Sequence, residues 1–443
     1  MLRKTQILTA IFSAIVATGA AQAQIVDTPA SHAVIMDHET GTILFSKDGQ
    51  EPMIPASMTK MMTAFLVFEL IERGEISLTD KFTVSEDAWR RGGFPSGTST
   101  MGLAPGDTPT VEELLHGVII MSGNDACIVL AQGISGSEEA FARRMTSLAH
   151  ELGMSSANFK NTTGLEAVGH VISAEDLAKM AKLTIDKYPQ YYDWYDMPSY
   201  TWREYTQANR NPLLSIEGTD GLKTGHLEVS GYGLTASAVR DGVRRTIVIN
   251  GLESMAARAQ EGERMMRMAF QSYDLKVITP ESVELPEVKV WLGQQQTVPV
   301  SLASKMTIAG HKAALEKAKS EIVLDQALQA PIKAGDAVGK LVITVEGQAP
   351  TEAPIVAEAT VKKLGFFGRA VEGQQWLKRR HSNVSHWRAA KARGNPRCNA
   401  RSQSVLKVRG MRWSRRASRV AHPWLKPSGN LRCIHLRVVT GHR

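Results

Sequence analysis

The run Gly221-Leu222-Lys223-Thr224-Gly225 opens the stretch that decides the fold of this 443-residue chain. Two further runs of β-branched and apolar residues follow, at Gly231–Val239 and Val243–Asn250, and Arg240-Asp241-Gly242 between them is typical of a hairpin turn. Together they predict an antiparallel sheet with the strand Lys223-Thr224-Gly225 at its edge. An edge strand offers unpaired backbone groups to an extended peptide.

Helical patterns fill most of the chain between an early pair of strands and this sheet. Val34–Phe45 is β-branched at both ends around the polar turn Glu39-Thr40-Gly41-Thr42, which predicts two short strands. Thr110-Val111-Glu112-Glu113 is a capping-box pattern and predicts the start of a helix. Strands on both sides of a helical middle predict an α+β domain over residues 24–275, an antiparallel sheet covered by helices. The predicted helices are Met61–Ile71, Val111–Met121, Ala126–Gly133, Glu138–Leu152, Ala174–Tyr188 and Glu261–Tyr273.

Residues 276–361 have a different composition, which predicts a separate small all-β domain. Short β-branched or alternating runs are punctuated there by Gly and Pro. No cluster of catalytic side chains is visible in this part of the sequence. The predicted strands are Val288–Trp291, Thr297–Leu302, Glu321–Leu324, Ala337–Glu346 and Pro354–Val361.

Residues 1–23 have the pattern of a secretory signal peptide. Arg3 and Lys4 form a charged start, Ile7–Val16 is an apolar run too short to span a bilayer, and Ala21-Gln22-Ala23 fits the small-x-small cleavage rule. We therefore expect the mature chain to begin at Gln24 and to be exported to the periplasm. Attachment to the outer face of the cytoplasmic membrane is left open by the sequence.

The net charge of +8 comes from the C-terminal end of the chain. No acidic residue follows Glu372, and 18 of the 52 Lys and Arg residues lie from Gln374 onward, which leaves 34 basic against 44 acidic residues in 1–373. Residues 362–373 begin a basic amphipathic pattern typical of a segment on an anionic, inner-membrane surface. The amphipathic pattern does not continue beyond residue 373, and we expect the acid-free tail, 374–443, to be disordered. We favour a shifted reading frame or a read-through as its origin, with a real basic appendage as the alternative, and we expect no nucleic acid partner for an exported protein.

The cysteine and histidine pattern predicts no metal site. Cys127 lies in an apolar helical run, where a cysteine is usually a small buried hydrophobe. Cys398 and Cys433 both lie in the tail, and the sequence leaves their pairing open. The Cys and His spacing of the tail matches no zinc template, and the chain has no glycine-rich phosphate loop. We therefore expect neither a metal nor a cofactor.

Ser57-Met58-Thr59-Lys60 places a hydroxyl and an amine at the predicted start of the helix Met61–Ile71. Side chains three residues apart lie on one helix face, one turn apart. A serine hydroxyl needs a base within hydrogen-bond reach, and Lys60 can be that base only when it is neutral. Burial beside a second cation lowers the pKa of a lysine, and Lys223 is the expected neighbour. The free N–H groups of a helix start also suit a developing oxyanion.

Two further motifs add polar groups to the same predicted site. Ser122-Gly123-Asn124 follows a predicted helix, so its loop can project a hydroxyl and an amide into a cleft. Lys223 and Thr224 on an edge strand suit a terminal carboxylate. Each motif alone is weak, because Ser404-Val405-Leu406-Lys407 and Ser428-Gly429-Asn430 repeat two of them in the tail. Only the earlier set includes the Lys-Thr-Gly run and leaves room for a helical domain between its members.

In these motifs the sequence resembles the low-molecular-mass penicillin-binding proteins that act as serine-type D-alanyl-D-alanine carboxypeptidases. The resemblance runs from about Ala30 to about Gly368. It implies a β-lactamase or penicillin-binding transpeptidase-like domain followed by the small all-β domain. It rests on Pro55–Lys60, Met121–Ala126, Asn161–Leu165, Asn209–Asn211 and Asp220–His226.

The resemblance implies a catalytic role for three side chains. Ser57 would be acylated by the carbonyl of the penultimate D-alanine of a peptidoglycan stem peptide, which releases the terminal D-alanine. Lys60 would take the Ser57 proton, and Ser122 would relay a proton to the leaving amine. The backbone N–H groups of Ser57 and of His226, which follows Gly225, would form the oxyanion hole.

The resemblance also implies how a substrate is held. Asn124 would hydrogen-bond the substrate amide, while Lys223 and Thr224, helped by Arg210, would hold the terminal carboxylate. β-Lactam antibiotics are implied as covalent ligands of the same site. A D,D-endopeptidase or β-lactamase-like hydrolase on the same fold stays an alternative, although a class A β-lactamase favours a Ser-Asp-Asn motif over Ser122-Gly123-Asn124. The third alternative is a non-enzymatic protein whose basic tail binds surfaces.

Overall fold

The structure is a computed structural model that describes residues 27–324 and 328–365. The predicted signal peptide, residues 366–373 of the predicted anchor, and the tail with Cys398 and Cys433 lie outside the described residues. The chain divides into two compact units. Among the described residues, one comprises 27–35 with 45–266, and the other comprises 36–44 with 267–324 and 328–365.

The strands up to residue 252 build the main sheet and two short pairs. They are β1 (His32–Asp37), β2 (Ile43–Lys47), β3 (Pro52–Met53), β4 (Ile172–Ser173), β5 (Ser199–Trp202), β6 (Tyr205–Ala208), β7 (Thr219–Leu227), β8 (Gly231–Arg240) and β9 (Val243–Leu252). The main sheet has the order β2-β1-β9-β8-β7, and β7, β8 and β9 pair antiparallel. The three predicted strands and the hairpin turn are therefore confirmed, and β7 lies at the edge of the sheet as predicted.

The helices of this part of the chain cover the sheet. They are α1 (Lys60–Glu72), α2 (Glu86–Gly92), α3 (Val111–His116), α4 (Asn124–Ser135), α5 (Glu138–Glu151), α6 (Ala174–Lys187), α7 (Pro189–Tyr192) and α8 (Met255–Gln271). Ten of the thirteen residues of α1 are buried, as expected for a helix that is apolar on all faces. α6 packs on β8 and β9, while Gly262 of α8 lies against Leu234 of β8. The predicted fold class, an antiparallel sheet covered by helices, is confirmed.

The capping box at Thr110 is confirmed, but the helix that it starts differs from the prediction. The Thr110 hydroxyl accepts from the Glu113 N–H at 3.2 Å, and the Glu113 carboxylate accepts from the Thr110 N–H at 2.7 Å. α3 ends at His116, and Gly117–Met121 forms a π-helix instead of a continuous α-helix. This wider turn ends at Ser122, whose φ of 60° lies in the left-handed region.

Several short helices and strands were not predicted from the sequence. α2 and the hairpin of β5 and β6 have too few residues for a clear hydrophobic period. The helix predicted over Glu261–Tyr273 begins at Met255, because the Ser254 hydroxyl accepts from the Ala257 N–H at 3.1 Å and caps it. Tyr273 was predicted at the helix end but begins a strand.

The second unit is mostly β-structure around its own apolar core. Its elements are β10 (Tyr273–Ile278), β11 (Val288–Lys289), β12 (Thr297–Val298), β13 (Val300–Leu302), β14 (Met306–His311), the short helix α9 (Lys312–Glu316), β15 (Lys319–Val323), β16 (Ala337–Thr344) and β17 (Thr351–Ala357). A four-stranded sheet has the order β13-β17-β16-β15, and β10 pairs with β14. Val298, Ile355 and Leu341 lie at the centre of the core. The predicted C-terminal β-region is confirmed, with β10, β14 and α9 added to the predicted elements.

Candidate active site

Ser57 lies in a single 3₁₀ turn, Ala56–Thr59, that runs directly into α1. One helical turn further on, Lys60 is buried with 1% of its surface exposed. Its Nζ lies 3.0 Å from Ser57 Oγ, within hydrogen-bond reach. The structure thus places the hydroxyl and the amine of this motif in direct contact.

Lys60 has a second partner in the backbone of a neighbouring segment. Its Nζ donates to the carbonyl oxygen of Thr163 at 2.6 Å. Asn161 shapes that segment, since its side-chain oxygen accepts from the N–H groups of Thr163 and Gly164 at 3.2 and 2.8 Å. Gly164 has a φ of +81°, and a Cβ there would lie 1.9 Å from the Ala56 carbonyl oxygen. Only glycine therefore allows the segment to approach the Ser57 turn so closely.

The surroundings of Lys60 favour its neutral form. The pKa of Lys60 is lowered to about 8, mainly by burial and with a contribution from the positive charge of Arg210, while Cys127 and the carboxylates of Glu138 and Asp125 oppose the shift. The sequence predicts a neighbouring cation, Lys223, as the reason for a lowered pKa. The structure gives burial as the main cause, and the Lys60 charge in turn contributes to lowering the pKa of Lys223.

Ser122 and Lys223 form a second hydroxyl–amine pair. Lys223, on β7, is 3% exposed, and its Nζ donates to Ser122 Oγ at 3.0 Å. The left-handed backbone at Ser122 reverses the chain between the π-helix and α4. Burial, followed by the charges of Lys60 and Arg210, holds the pKa of Lys223 well below its usual value.

Asn124 begins α4 and carries an unpaired acceptor. Its Nδ2 donates to Thr98 Oγ1 at 2.9 Å, whereas its Oδ1 is buried and has no partner among the described residues. The next residue, Asp125, is fully buried and accepts from the N–H groups of residues 101, 102 and 103 at 2.8 to 3.0 Å. Asp125 thereby fixes the loop that carries Thr98. The sequence prediction missed this residue, although it follows the Ser122 motif directly.

The guanidinium of Arg210 lies at the cleft between two neutral partners. Its Nη1 donates to Ser99 Oγ at 2.5 Å, and its Nη2 donates to Gln207 Oε1 at 3.0 Å. A second arginine, Arg258 on α8, is 7% exposed, and its Nε is buried without a partner among the described residues. Burial lowers the pKa of both arginines. The sequence prediction missed Arg258, because it precedes the predicted start of that helix.

β7 passes directly beside the Ser57 turn. A Cβ on Gly225 would lie 2.6 Å from the Pro55 carbonyl oxygen and 3.2 Å from Ala56 Cβ, so a side chain there would separate the strand from the turn. Next along the strand, the His226 ring stacks on Tyr232 with 3.8 Å between ring centroids. This contact holds the His226 side chain at the rim of the cleft.

A cleft of about 440 Å³ opens in front of these groups. Of the sequence-predicted residues, Ser57, Asn124, Arg210 and His226 line it directly. The others are not among its lining residues: Lys60 and Ser122 make the hydrogen bonds given above, and Lys223, Thr224 and Gly225 are buried in β7. The remaining lining residues are Gly97, Thr98, Ser99, Gly164, Leu165 and Leu227. Among the described residues, no group of His, Cys, Asp and Glu side chains is arranged to hold a metal ion.

Comparisons with known proteins agree with this fold and site. Residues 17–253 match the family model of D-alanyl-D-alanine carboxypeptidases, and residues 273–363 match that of the C-terminal domain of penicillin-binding protein 5. The chain belongs to the D-alanyl-D-alanine carboxypeptidase family, whose members are serine-type hydrolases. The family predicted from the motifs is therefore confirmed.

Individual relatives cover both units. The D-alanyl-D-alanine carboxypeptidase DacF of Bacillus subtilis is 36% identical over 344 residues, which are 76% of this chain and 87% of the relative. DacC of Escherichia coli is 34% identical over 361 residues, 80% of this chain and 90% of the relative. The crystal structure of penicillin binding protein 5 from Haemophilus influenzae superposes with a TM-score of 0.65 at 31% identity, over 76% of this chain and 98% of that one.

Proposed function

We propose that this protein removes the terminal D-alanine from peptidoglycan stem peptides through an acyl-enzyme formed on Ser57. The observation that carries the proposal is the Ser57–Lys60 pair, 3.0 Å apart, whose serine lines the cleft. Membership of the D-alanyl-D-alanine carboxypeptidase family supplies the reaction class. The catalytic unit is proposed to span residues 24–275, with residues 276–361 as the accompanying β-domain.

In the acylation step, Ser57 Oγ attacks the carbonyl carbon of the penultimate D-alanine. The neutral amine of Lys60 takes the hydroxyl proton as the new C–O bond forms. The tetrahedral oxyanion is stabilised by the backbone N–H groups of Ser57 and His226. The close approach of β7 to the Ser57 turn at Gly225 supports this pairing of donors.

Collapse of the tetrahedral intermediate breaks the C–N bond, and the leaving amine needs a proton. Ser122 is proposed to deliver it, because its hydroxyl is hydrogen-bonded to the buried amine of Lys223 at 3.0 Å. As Ser122 gives its hydroxyl proton to the amine, it would regain the proton that Lys60 took from Ser57, so that both side chains return to their starting forms. Water then hydrolyses the Ser57 ester and restores the free enzyme.

The substrate is proposed to lie along β7 with its carboxylate toward the cations of the cleft. Lys223, Thr224 and Arg210 would bind the carboxylate, and the buried charge of Arg258 would add to the attraction. The buried, unpaired Oδ1 of Asn124 would accept from the substrate amide N–H. Stem peptides ending in D-Ala-D-Ala offer both groups.

β-Lactams are proposed as covalent ligands of Ser57, because their strained amide presents a carbonyl and a carboxylate to the same groups. Similarity to a penicillin-binding protein supports this ligand class. The signal-peptide pattern at residues 1–23 supports export to the periplasm. Residues 362–373 are proposed to rest on the membrane surface. No helix of the described residues has the length and apolar character needed to cross a membrane.

Labelling with a fluorescent penicillin tests the proposal directly. The wild-type protein should take up one label per chain and release D-alanine from a pentapeptide ending in D-Ala-D-Ala, while Ser57→Ala should do neither. Ser404→Ala is the matched control, because it removes the serine of the other Ser-x-x-Lys motif and should leave both activities intact. Labelling of Ser57→Ala would refute the assignment. Product analysis on a cross-linked dipeptide would reveal an endopeptidase instead.

A further inference from the structure

Glu138 is an almost fully buried carboxylate outside the predicted site. It begins α5, its side chain is 3% exposed, and its Oε2 forms an ion pair with the guanidinium of Arg91 from α2. A buried carboxylate is costly unless its oxygens are well paired. The hydrogen bonds and the ion pair of the Glu138 carboxylate therefore show which parts of the chain it holds in place.

The other oxygen of Glu138 holds the segment that contacts the proposed base. Glu138 Oε1 accepts from both the N–H and the hydroxyl of Thr162, at 3.1 and 2.8 Å. From the opposite side, the Thr63 hydroxyl donates to the Thr162 carbonyl oxygen at 2.7 Å. Thr162 is thus clamped between α5 and α1, and the next carbonyl along the chain, that of Thr163, is the partner of Lys60.

The hydrogen bond to the Thr163 carbonyl limits the directions in which the lone pair of a neutral Lys60 can point. A neutral amine has two N–H bonds and one lone pair, so one hydrogen bond to Thr163 at 2.6 Å restricts its rotation. Ser57 Oγ, 3.0 Å away, then lies within reach of the lone pair. We propose that Glu138 is a positioning residue for the base: by fixing Thr162, it fixes the carbonyl that aims the Lys60 amine at Ser57. This inference rests on the proposed role of Lys60.

Glu138 also acts on Lys60 through its charge. Among the groups around Lys60, the Glu138 carboxylate raises the lysine pKa, against burial and Arg210, which lower it. Removing the Glu138 charge therefore moves the Lys60 pKa downward, whereas removing only the Thr162 hydroxyl leaves this electrostatic contribution in place. The other charged and titratable groups that interact electrostatically with Lys60 are Asp125 and Cys127 on α4, His170, and Lys223 on β7.

Two substitutions separate these effects. For each variant, the rate of acylation by a fluorescent penicillin is measured from pH 6 to pH 10. Glu138→Gln keeps the size of the side chain, but an amide has one acceptor oxygen for three donors, the N–H and the hydroxyl of Thr162 and the guanidinium of Arg91. We expect the limiting rate at high pH to fall by roughly tenfold or more, and the midpoint of the profile to move to lower pH. Thr162→Val should lower the limiting rate by about three- to tenfold without moving the midpoint.

Glu139→Gln is the matched control, since this neighbour on α5 is exposed and should give the wild-type profile. Rates are counted per chain that takes up label at completion, so that misfolded protein does not count. Wild-type rates and midpoint in Glu138→Gln, or a loss confined to the number of labelled chains, would overturn the inference. If Glu138→Gln does not fold, a wild-type limiting rate in Thr162→Val would overturn it. A wild-type protein that takes up no label at Ser57 would instead refute the proposed function, and this inference with it.

Discussion

If the buried Lys60 is the base, the acylation rate should depend on pH in a way that its lowered pKa predicts. Lys60 is 1% exposed, and burial lowers its pKa to about 8. Since only the neutral amine can take the Ser57 proton, the rate should follow the neutral fraction. That fraction is about 9% at pH 7 and about 91% at pH 9 for a pKa near 8, so the acylation rate should rise about tenfold over this range.

An ordinary lysine would behave differently over the same range. With a pKa near 10.5 its neutral fraction stays far below one half up to pH 9, and the rate would rise roughly a hundredfold without levelling off. Stopped-flow acylation by a fluorescent penicillin, at concentrations where the rate is linear in penicillin, distinguishes the two. This second-order constant reports the pKa of the free enzyme.

The control removes the titrating group but keeps the charge. Lys60→Arg carries a guanidinium that stays protonated throughout, so it should show almost no acylation at any pH between 7 and 9. A wild-type rate that is flat between pH 7 and pH 9, or one that rises a hundredfold, would refute a Lys60 base with a pKa near 8. Substantial pH-dependent acylation in Lys60→Arg would assign the profile to another group.

Three further substitutions test other parts of the site. Gly225→Ala should slow acylation by roughly tenfold or more, because its Cβ would lie 2.6 Å from a backbone oxygen, while Gly365→Ala, with open space around it, should leave the rate unchanged. Asn124→Ala should lower kcat/KM for a D-Ala-D-Ala peptide by about tenfold, the loss of one hydrogen bond to a buried acceptor, and an unchanged value would exclude that contact. His170, 2% exposed, has its pKa lowered to about 4 by burial, so its titration alone should lower the free energy of unfolding by about 3 kcal/mol as the pH drops from 6.5 to 4. In urea titrations at both pH values, His170→Gln should lose less stability than wild type; equal losses would contradict this linkage.

The sequence predicted the helices and strands whose formation depends on residues next to one another in the chain. The β7–β9 strands were found because β-branched residues surround a turn that only polar and glycine residues suit, and α3 because its first turn carries its own cap. The π-helix at Gly117–Met121 was not predicted, because its apolar residues fit an α-helix equally well. A Cβ on Gly117, where the π-helix begins, would lie 2.4 Å from Met101 Sδ, so this turn packs closely against a residue outside its own local sequence.

The residues of the candidate site likewise include some that a local motif indicates and some that only the fold brings together. Ser57, Lys60, Ser122 and Lys223 belong to motifs that can be read in the sequence, and the structure brings them into two hydrogen-bonded pairs. Glu138, in contrast, contacts Thr162 across 24 residues of sequence, so no local pattern indicates their contact. Groups that support a site through other residues are found only when the chain is folded.

The cations of the site account for both the proposed base and the proposed binding of a substrate carboxylate. Lys60, Lys223 and Arg210 are hydrogen-bonded to hydroxyl, carbonyl and amide oxygens, which carry no net charge. Burying positive charge without a carboxylate in contact is unfavourable, and each lysine relieves part of this cost by a lowered pKa. In the proposed mechanism, a substrate carboxylate would relieve the rest when it binds. The same buried positive charge would then both keep the pKa of Lys60 low enough for a base and attract a peptide by its free C-terminus, so the proposed base activation and exopeptidase specificity would have one physical origin.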